Sequence, residues 1–208
     1  MQAEVVRIAY APGSYAVAWR DSYAALPSLQ RQWVNTLILR THRLVAPDSL
    51  EIPEGRLARR LVQAWGSLER VAMLMGAARL RRHVLAQRAS VLLPASVHAF
   101  MRQGHAEAEL AGAAVELAAS PAFLMAWGAG ELQLAAPLLP RWLADRLPLM
   151  FACVPGVQLA PTHAHYTQGH FQPAHSQLPH LPPHPSWPGG QWDASLFWSA
   201  LRHAEALS

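Results

Sequence analysis

Arg56-Leu57-Ala58-Arg59-Arg60-Leu61-Val62-Gln63-Ala64-Trp65-Gly66-Ser67-Leu68-Glu69-Arg70-Val71-Ala72-Met73-Leu74-Met75 is the stretch that decides the fold class. Its apolar set Leu57, Leu61, Ala64, Trp65, Leu68, Ala72 and Met75 advances in steps of three and four, the spacing that gathers side chains on one face of a 3.6-residue helix. The stretch therefore predicts one long amphipathic helix, with Arg59, Arg60 and Arg70 largely off the apolar stripe. Gly76 reads as a break, after which a second basic helix carries Leu80, Val84 and Leu85 beside Arg79, Arg81, Arg82 and Arg88.

Upstream, Val5-Val6-Arg7-Ile8-Ala9-Tyr10 is β-prone and ends at Pro12-Gly13, so it reads as a short extended arm. A helix is predicted over 14–25. Leu29, Trp33, Leu37 and Leu44 then place one apolar stripe on a helix that ends before Pro47. Asp48 to Gly55 reads as a loop. Downstream, helices are predicted over 93–103, ended by Gly104, and over 105–119. Ser120-Pro121 starts another, because Ser can cap free N–H groups and Pro at the first helical position gives up none that was paired. Pro140 and Pro148 bracket a short helix with Trp142, Leu143 and Leu147. The fold class is all-α: a single helical-bundle domain over 1–158 with a short N-terminal extended segment, a Pro/His-rich segment over 159–192, and a short helix over 193–208 capped by Asp193.

The 208 residues are 52% apolar and 14% charged, against roughly 25% charged in an average soluble domain, so apolar surface is left to face partners. All 17 basic residues are arginine, which reflects codon composition as much as function. They are unevenly placed. Eight arginines and one acid lie between Arg56 and Arg88, whereas Glu107, Glu109, Glu116 and Glu131 lie with no arginine between His105 and Leu139. Such a split fits an internal match between neighbouring helices, two docking surfaces, or solvated helix faces.

Chemistry-bearing motifs are sparse. His163, His165, His170, His175, His180 and His184 are good ligand types but irregularly spaced, with no carboxylate or cysteine among them, and no role is assigned to them. Cys153 excludes an intramolecular disulfide, sits in an apolar run and reads as a small buried hydrophobe in a cytoplasmic protein. No hydrolase elbow, zincin helix, phosphate loop or dinucleotide fingerprint occurs, so no enzyme and no cofactor are expected. The start of the sequence lacks a basic-then-apolar secretory pattern, and the run Leu117 to Gly130 is too short to cross a bilayer. The eight tryptophans read mostly as core, with Trp187 and Trp192 as anchors for a partner.

Two segments carry a family resemblance: Val6-Arg7-Ile8-Ala9-Tyr10-Ala11-Pro12-Gly13-Ser14-Tyr15 leading to Leu26-Pro27-Ser28-Leu29, and Leu74-Met75-Gly76-Ala77-Ala78-Arg79-Leu80-Arg81-Arg82-His83-Val84-Leu85-Ala86, with a weaker echo at Arg146-Leu147-Pro148-Leu149. Over residues 5–150 the chain resembles the SctK family (YscK, PscK and relatives) of bacterial type III secretion systems. The resemblance implies an all-α cytosolic adaptor at the injectisome base, linking the cytoplasmic forkhead-associated domain of the ring protein SctD to SctQ pods, and through SctL to the ATPase SctN. It implies no enzyme and no cofactor, and neither a nucleic-acid partner nor a membrane span is expected. The family does not supply partner-binding residues; the basic block suggests Arg59, Arg60, Arg70, Arg79, Arg81, Arg82 and Arg88, which can pair with partner carboxylates. A basic helical nucleic-acid-binding or regulatory protein is the alternative.

Overall fold

A computed structural model of the chain describes residues 1–108, 116, 118–151 and 191–206, and among these every regular element is helical. The elements are α1 (Gln2–Tyr10), α2 (Arg20–Tyr23), α3 (Ser28–Thr41), α4 (Arg56–Gln63), α5 (Leu68–Arg79), α6 (Arg81–Leu85), α7 (Ala95–Met101), α8 (Pro121–Gln133), α9 (Arg141–Ala144), α10 (Leu147–Met150) and α11 (Ala194–Glu205), with short 3₁₀ turns between some of them. The all-α class is as the sequence predicts. The six-histidine tract, Cys153 and Trp187 lie outside the described residues.

The centre is the pair α5 and α8. Leu68, Val71, Ala72, Leu74, Met75, Gly76, Ala77 and Ala78 are buried on α5, so this helix is apolar round most of its circumference, with Glu69, Arg70 and Met73 on its outer side. Helix α8 is the same in kind, burying Phe123, Leu124, Trp127, Gly128, Ala129 and Leu132. The two cross at glycines. A Cβ on Gly76 would lie 1.9 Å from the Leu124 carbonyl oxygen, and one on Gly128 would lie 1.7 Å from that of Ala72. Gly76 is therefore a contact point inside a continuous helix and not the break that its composition suggests.

The break comes earlier. The predicted long helix divides into α4 and α5 around a 3₁₀ turn at Trp65–Ser67. Gly66 disfavours helix continuation, while Trp65 is fully buried edge-on to Tyr15, with ring centroids 5.4 Å apart. The N-terminal arm is also corrected: Val5, Ile8 and Ala9 fall at i, i+3 and i+4, bury one face of α1, and override the local β preference. An ion pair between Glu4 and Arg7 braces the same helix. The helix predicted over 14–25 shrinks to α2, because Gly13 and Tyr23 stack closely there: a Cβ on Gly13 would meet the Tyr23 ring at 2.5 Å. Asn35 ties the corner to α3, accepting from the Gly13 N–H at 3.0 Å and donating to the Tyr23 hydroxyl at 2.7 Å.

Helix α7 follows Pro94, and Gly104 (φ 74°) ends that segment. The helix predicted over 105–119 falls partly outside the described residues; 105–108 is not helical and runs beside α5, with the Ala108 N–H donating to the Arg79 carbonyl at 2.7 Å. Pro121 opens α8 as expected, although the Ser120 side chain makes no cap hydrogen bond. The stretch between Pro140 and Pro148 forms α9, and Pro148 lies within α10.

Arg146, between those two helices, is fully buried. Its guanidinium donates to the carbonyls of Ile8 (3.0 Å), Ala9 (2.7 Å), Val45 (2.9 Å) and Trp142 (2.5 Å). It thereby satisfies the carbonyls at the end of α1 and in the segment after α3, and ties both to α9.

Helix α11 packs onto the bundle, with Leu196, Phe197, Ala200, Leu201 and Ala204 buried in the common core. The Asp193 carboxylate accepts from the Leu196 N–H at 3.0 Å, a side-chain cap on the first turn. Further along, His203 contacts the Ser96 carbonyl at 2.9 Å, and Arg60 pairs with Glu205 at 2.8 Å.

Candidate docking surfaces

The arginines proposed as a partner face divide into two groups. Arg79 is largely buried. It pairs with Glu131 at 2.8 Å and Asp193 at 3.1 Å, and donates to the Ala106 carbonyl at 3.0 Å. Arg81 lies 3.5 Å from Glu107 and reaches the Met101 carbonyl at 3.4 Å. Arg60 holds Glu205, and Arg70 donates to the Ala204 carbonyl at 3.4 Å. For Arg79 with Glu131 and Arg81 with Glu107 the split of basic and acidic blocks is an internal match between neighbouring elements. Carboxylates of the chain itself thus face three of these cations, Arg60, Arg79 and Arg81, which a nucleic-acid reader would turn to phosphate. Arg59, Arg70, Arg82 and Arg88 are exposed. Trp192 is half-buried against Phe197, 5.4 Å between ring centroids, so it serves the seating of α11.

The carboxylates around Arg79 are pushed in opposite directions. Burial raises the Glu131 pKa above its usual value against the pull of Arg79. For Asp193, burial also acts upward, but hydrogen bonds from the Leu196 N–H and Ser195, together with Arg79, outweigh it and leave the carboxyl lowered. A lowered folded-state pKa stabilises the fold above the unfolded value and is lost as pH falls through the folded one. Asp193→Ala therefore lowers the stability at pH 7 by about 1–2 kcal/mol, the worth of a cap with its charge partner. In urea denaturation followed by circular dichroism, that deficit shrinks below pH 3.8, the ordinary Asp value.

Apolar residues that the bundle leaves outside are more informative than the arginines. On α3 the buried residues are Val34 and Ile38, whereas Leu29, Trp33 and Leu37 are 65%, 71% and 55% exposed. The stripe that the spacing singles out is thus turned to solvent, except for Leu44 beyond the helix, which packs against the core. This corrects the expectation that Trp33 is core. The available signal was a helix carrying two apolar stripes, since docking by one face can bury only one of them. A second outward set is Leu85 with Val91 and Leu92, the last two 82% and 85% exposed, on α6 and the following 3₁₀ turn Arg88–Leu92. Arg82 and Arg88 accompany it. A shallow groove between the first turns of α5 and α8, lined by Arg70, Met73, Pro121 and Met125, is a third feature.

Among the described residues no group of three or more His, Cys, Asp or Glu side chains converges as a metal would require, and no helix is long and apolar enough to cross a membrane. What the surface offers is apolar side chains set among guanidinium groups, the materials of a protein–protein interface.

A family model described as bacterial type III secretion apparatus protein (OrgA_MxiK) matches residues 5–206. The chain belongs to that family. The resemblance to SctK proteins is borne out by this type III secretion apparatus family, and the match extends past residue 150, where the quoted motifs stop, through α11. No curated protein and no solved structure matches the chain. A role in type III secretion follows from membership.

Proposed function

We propose that this type III secretion apparatus protein is a non-enzymatic, cytoplasmic adaptor that links an SctD-like inner-membrane ring protein to an SctQ-like pod protein, and through it to SctL and the SctN ATPase. The observation that carries the reading is the pair of outward apolar sets on different elements, Leu29/Trp33/Leu37 on α3 and Leu85/Val91/Leu92 around α6, both accompanied by arginine. An adaptor has to present two interfaces at once, and a compact bundle supplies them on rigid helices. Arg59, Arg82 and Arg88, all exposed, are candidates from the basic block for pairing with partner carboxylates.

In a strain lacking the gene, complementation by the wild-type chain restores pod foci at the ring and secretion of substrates. The quadruple variant Arg82→Glu, Arg88→Glu, Val91→Ser, Leu92→Ser, all at exposed positions, folds normally but recruits fewer pods, with secretion reduced at least tenfold. Wild-type foci and secretion from that variant contradict the assignment of this surface, and full secretion from the strain lacking the gene contradicts the adaptor reading itself.

A further inference from the structure

We infer that the outward face of α3 seats one acidic amphipathic helix from a partner protein. Leu29, Trp33 and Leu37 stand at i, i+4 and i+8, so they form a single ridge about 12 Å long at 1.5 Å rise per residue. Arg40, three residues beyond Leu37, continues the ridge at its C-terminal end and is exposed. Val34 and Ile38 hold the opposite side of the helix in the core, which fixes the ridge outward on a rigid element.

Charge selects the partner. Between Asp21 and Asp48 the chain contains Arg31, Arg40 and Arg43 and no Asp or Glu, and Arg40 is the charge that lies on the ridge. A complementary surface carries carboxylates around an apolar seam, and the same field disfavours basic partners. The shape selects a helix. Gln32 and Thr36, both exposed, flank the ridge, so the apolar strip is narrow and suits ridge-into-groove packing. An anionic membrane would call for a broad apolar face that sinks ~5–10 Å into the headgroup boundary. Trp33 is the anchor, being the residue type that most often dominates the binding energy of an interface. The inference rests on the adaptor reading only in taking the helix to belong to another apparatus component.

The test uses the full chain and two fluorescein-labelled 18-residue helical peptides with leucines at i, i+3, i+4 and i+7, one with glutamate and one with lysine at the other positions. Titration followed by anisotropy gives saturable binding of the glutamate peptide, weakened about thirtyfold by Trp33→Ala, the fold-change that ~2 kcal/mol at a hot spot corresponds to. Arg40→Glu weakens it at least fivefold, and the lysine peptide binds at least tenfold less tightly. Because Trp33 is exposed, Trp33→Ala keeps the wild-type melting midpoint. Equal binding of the two peptides, or indifference to Trp33→Ala, overturns the inference, as does Trp33-dependent flotation with phosphatidylglycerol vesicles. Failure of the glutamate peptide while SctD- and SctQ-like proteins still co-purify overturns this inference and spares the adaptor reading. Peptide binding without those proteins upholds the surface and overturns the adaptor reading.

Discussion

Arg146→Met lowers the melting midpoint by about 10 °C or more, or leaves the chain insoluble. The side chain is fully buried and donates to four main-chain carbonyls, those of Ile8, Ala9, Val45 and Trp142. Methionine fills much of the volume and supplies no donor, so the buried carbonyls of Ala9 and Trp142 lose the guanidinium, whereas the Ile8 carbonyl keeps the Tyr15 hydroxyl at 2.7 Å and Val45 is exposed to water. At ~1–3 kcal/mol for each unsatisfied buried group, these two carbonyls together cost about 4 kcal/mol. That is a large share of the ~5–15 kcal/mol by which a domain is stable. For a chain of this size each kcal/mol moves the midpoint by ~2–4 °C. Arg146→Lys keeps the charge but carries three donors at one point instead of a planar fork, so it recovers only part of the loss. Thermal denaturation of both variants by circular dichroism checks the order wild type, then lysine, then methionine. A methionine variant within 3 °C of wild type would show that the clasp does not hold α1, α9 and the segment after α3 together.

The second large effect is at the crossing of α5 and α8. Gly76→Ala and Gly128→Ala each place a methyl group within 2 Å of a main-chain oxygen on the facing helix, at 1.9 Å and 1.7 Å for the unrelaxed positions. Neither oxygen sits on a flexible side chain, so the two central helices have to separate. Overpacking of this kind costs about 3 kcal/mol, occasionally more, and the ~1 kcal/mol that alanine gains in helix propensity offsets only part of it. The expected fall in midpoint is about 4–8 °C for each single variant. Gly66→Ala is the control, because nothing lies within 4 Å of a Cβ there, and it changes the midpoint by less than 2 °C. If Gly128→Ala were as stable as Gly66→Ala, the close approach of the two helices would be refuted.

These positions show where the sequence was legible. Spacing at three and four identifies α3, α5 and α11 as helices, although only in α11 does the periodic trace coincide with a single buried face, and Ser120-Pro121 marks the start of α8 by fixed backbone chemistry. What spacing cannot carry is orientation. Helix α3 has Leu29, Trp33 and Leu37 on one side and Val34 and Ile38 on another, and only the packed bundle decides which pair of turns meets the core. The N-terminal residues fail for a related reason: Val5, Val6 and Ile8 favour a strand locally, and the tertiary burial of Val5, Ile8 and Ala9 outweighs that preference.

Glycine and arginine are ambiguous for physical reasons as well. Gly66 and Gly76 look alike in the chain, yet one lies in the turn that interrupts the helix and the other lets two backbones touch. Arginine is the sole basic residue type, so nothing in composition separates the buried clasp Arg146 from exposed Arg59, or the internal brace Arg79 from exposed Arg88. The weak echo Arg146-Leu147-Pro148-Leu149 contains the arginine on which the packing of three segments depends. Candidate partner residues were therefore the least legible part: Arg60, Arg79 and Arg81 pair with carboxylates of the chain itself, Arg70 stays exposed, and the outward apolar ridge of α3 carried no sign of its orientation.

The central claim is that the chain joins two apparatus components. It is tested most directly by affinity purification of the tagged protein from its native bacterium across a salt series, with the bound proteins identified by mass spectrometry. The account predicts recovery of both the SctD-like ring protein and the SctQ-like pod protein. It further predicts that Trp33→Ala and the quadruple variant at Arg82, Arg88, Val91 and Leu92 each lose one of the two and retain the other. Recovery of nucleic acid or of unrelated proteins, with neither component present, would contradict it.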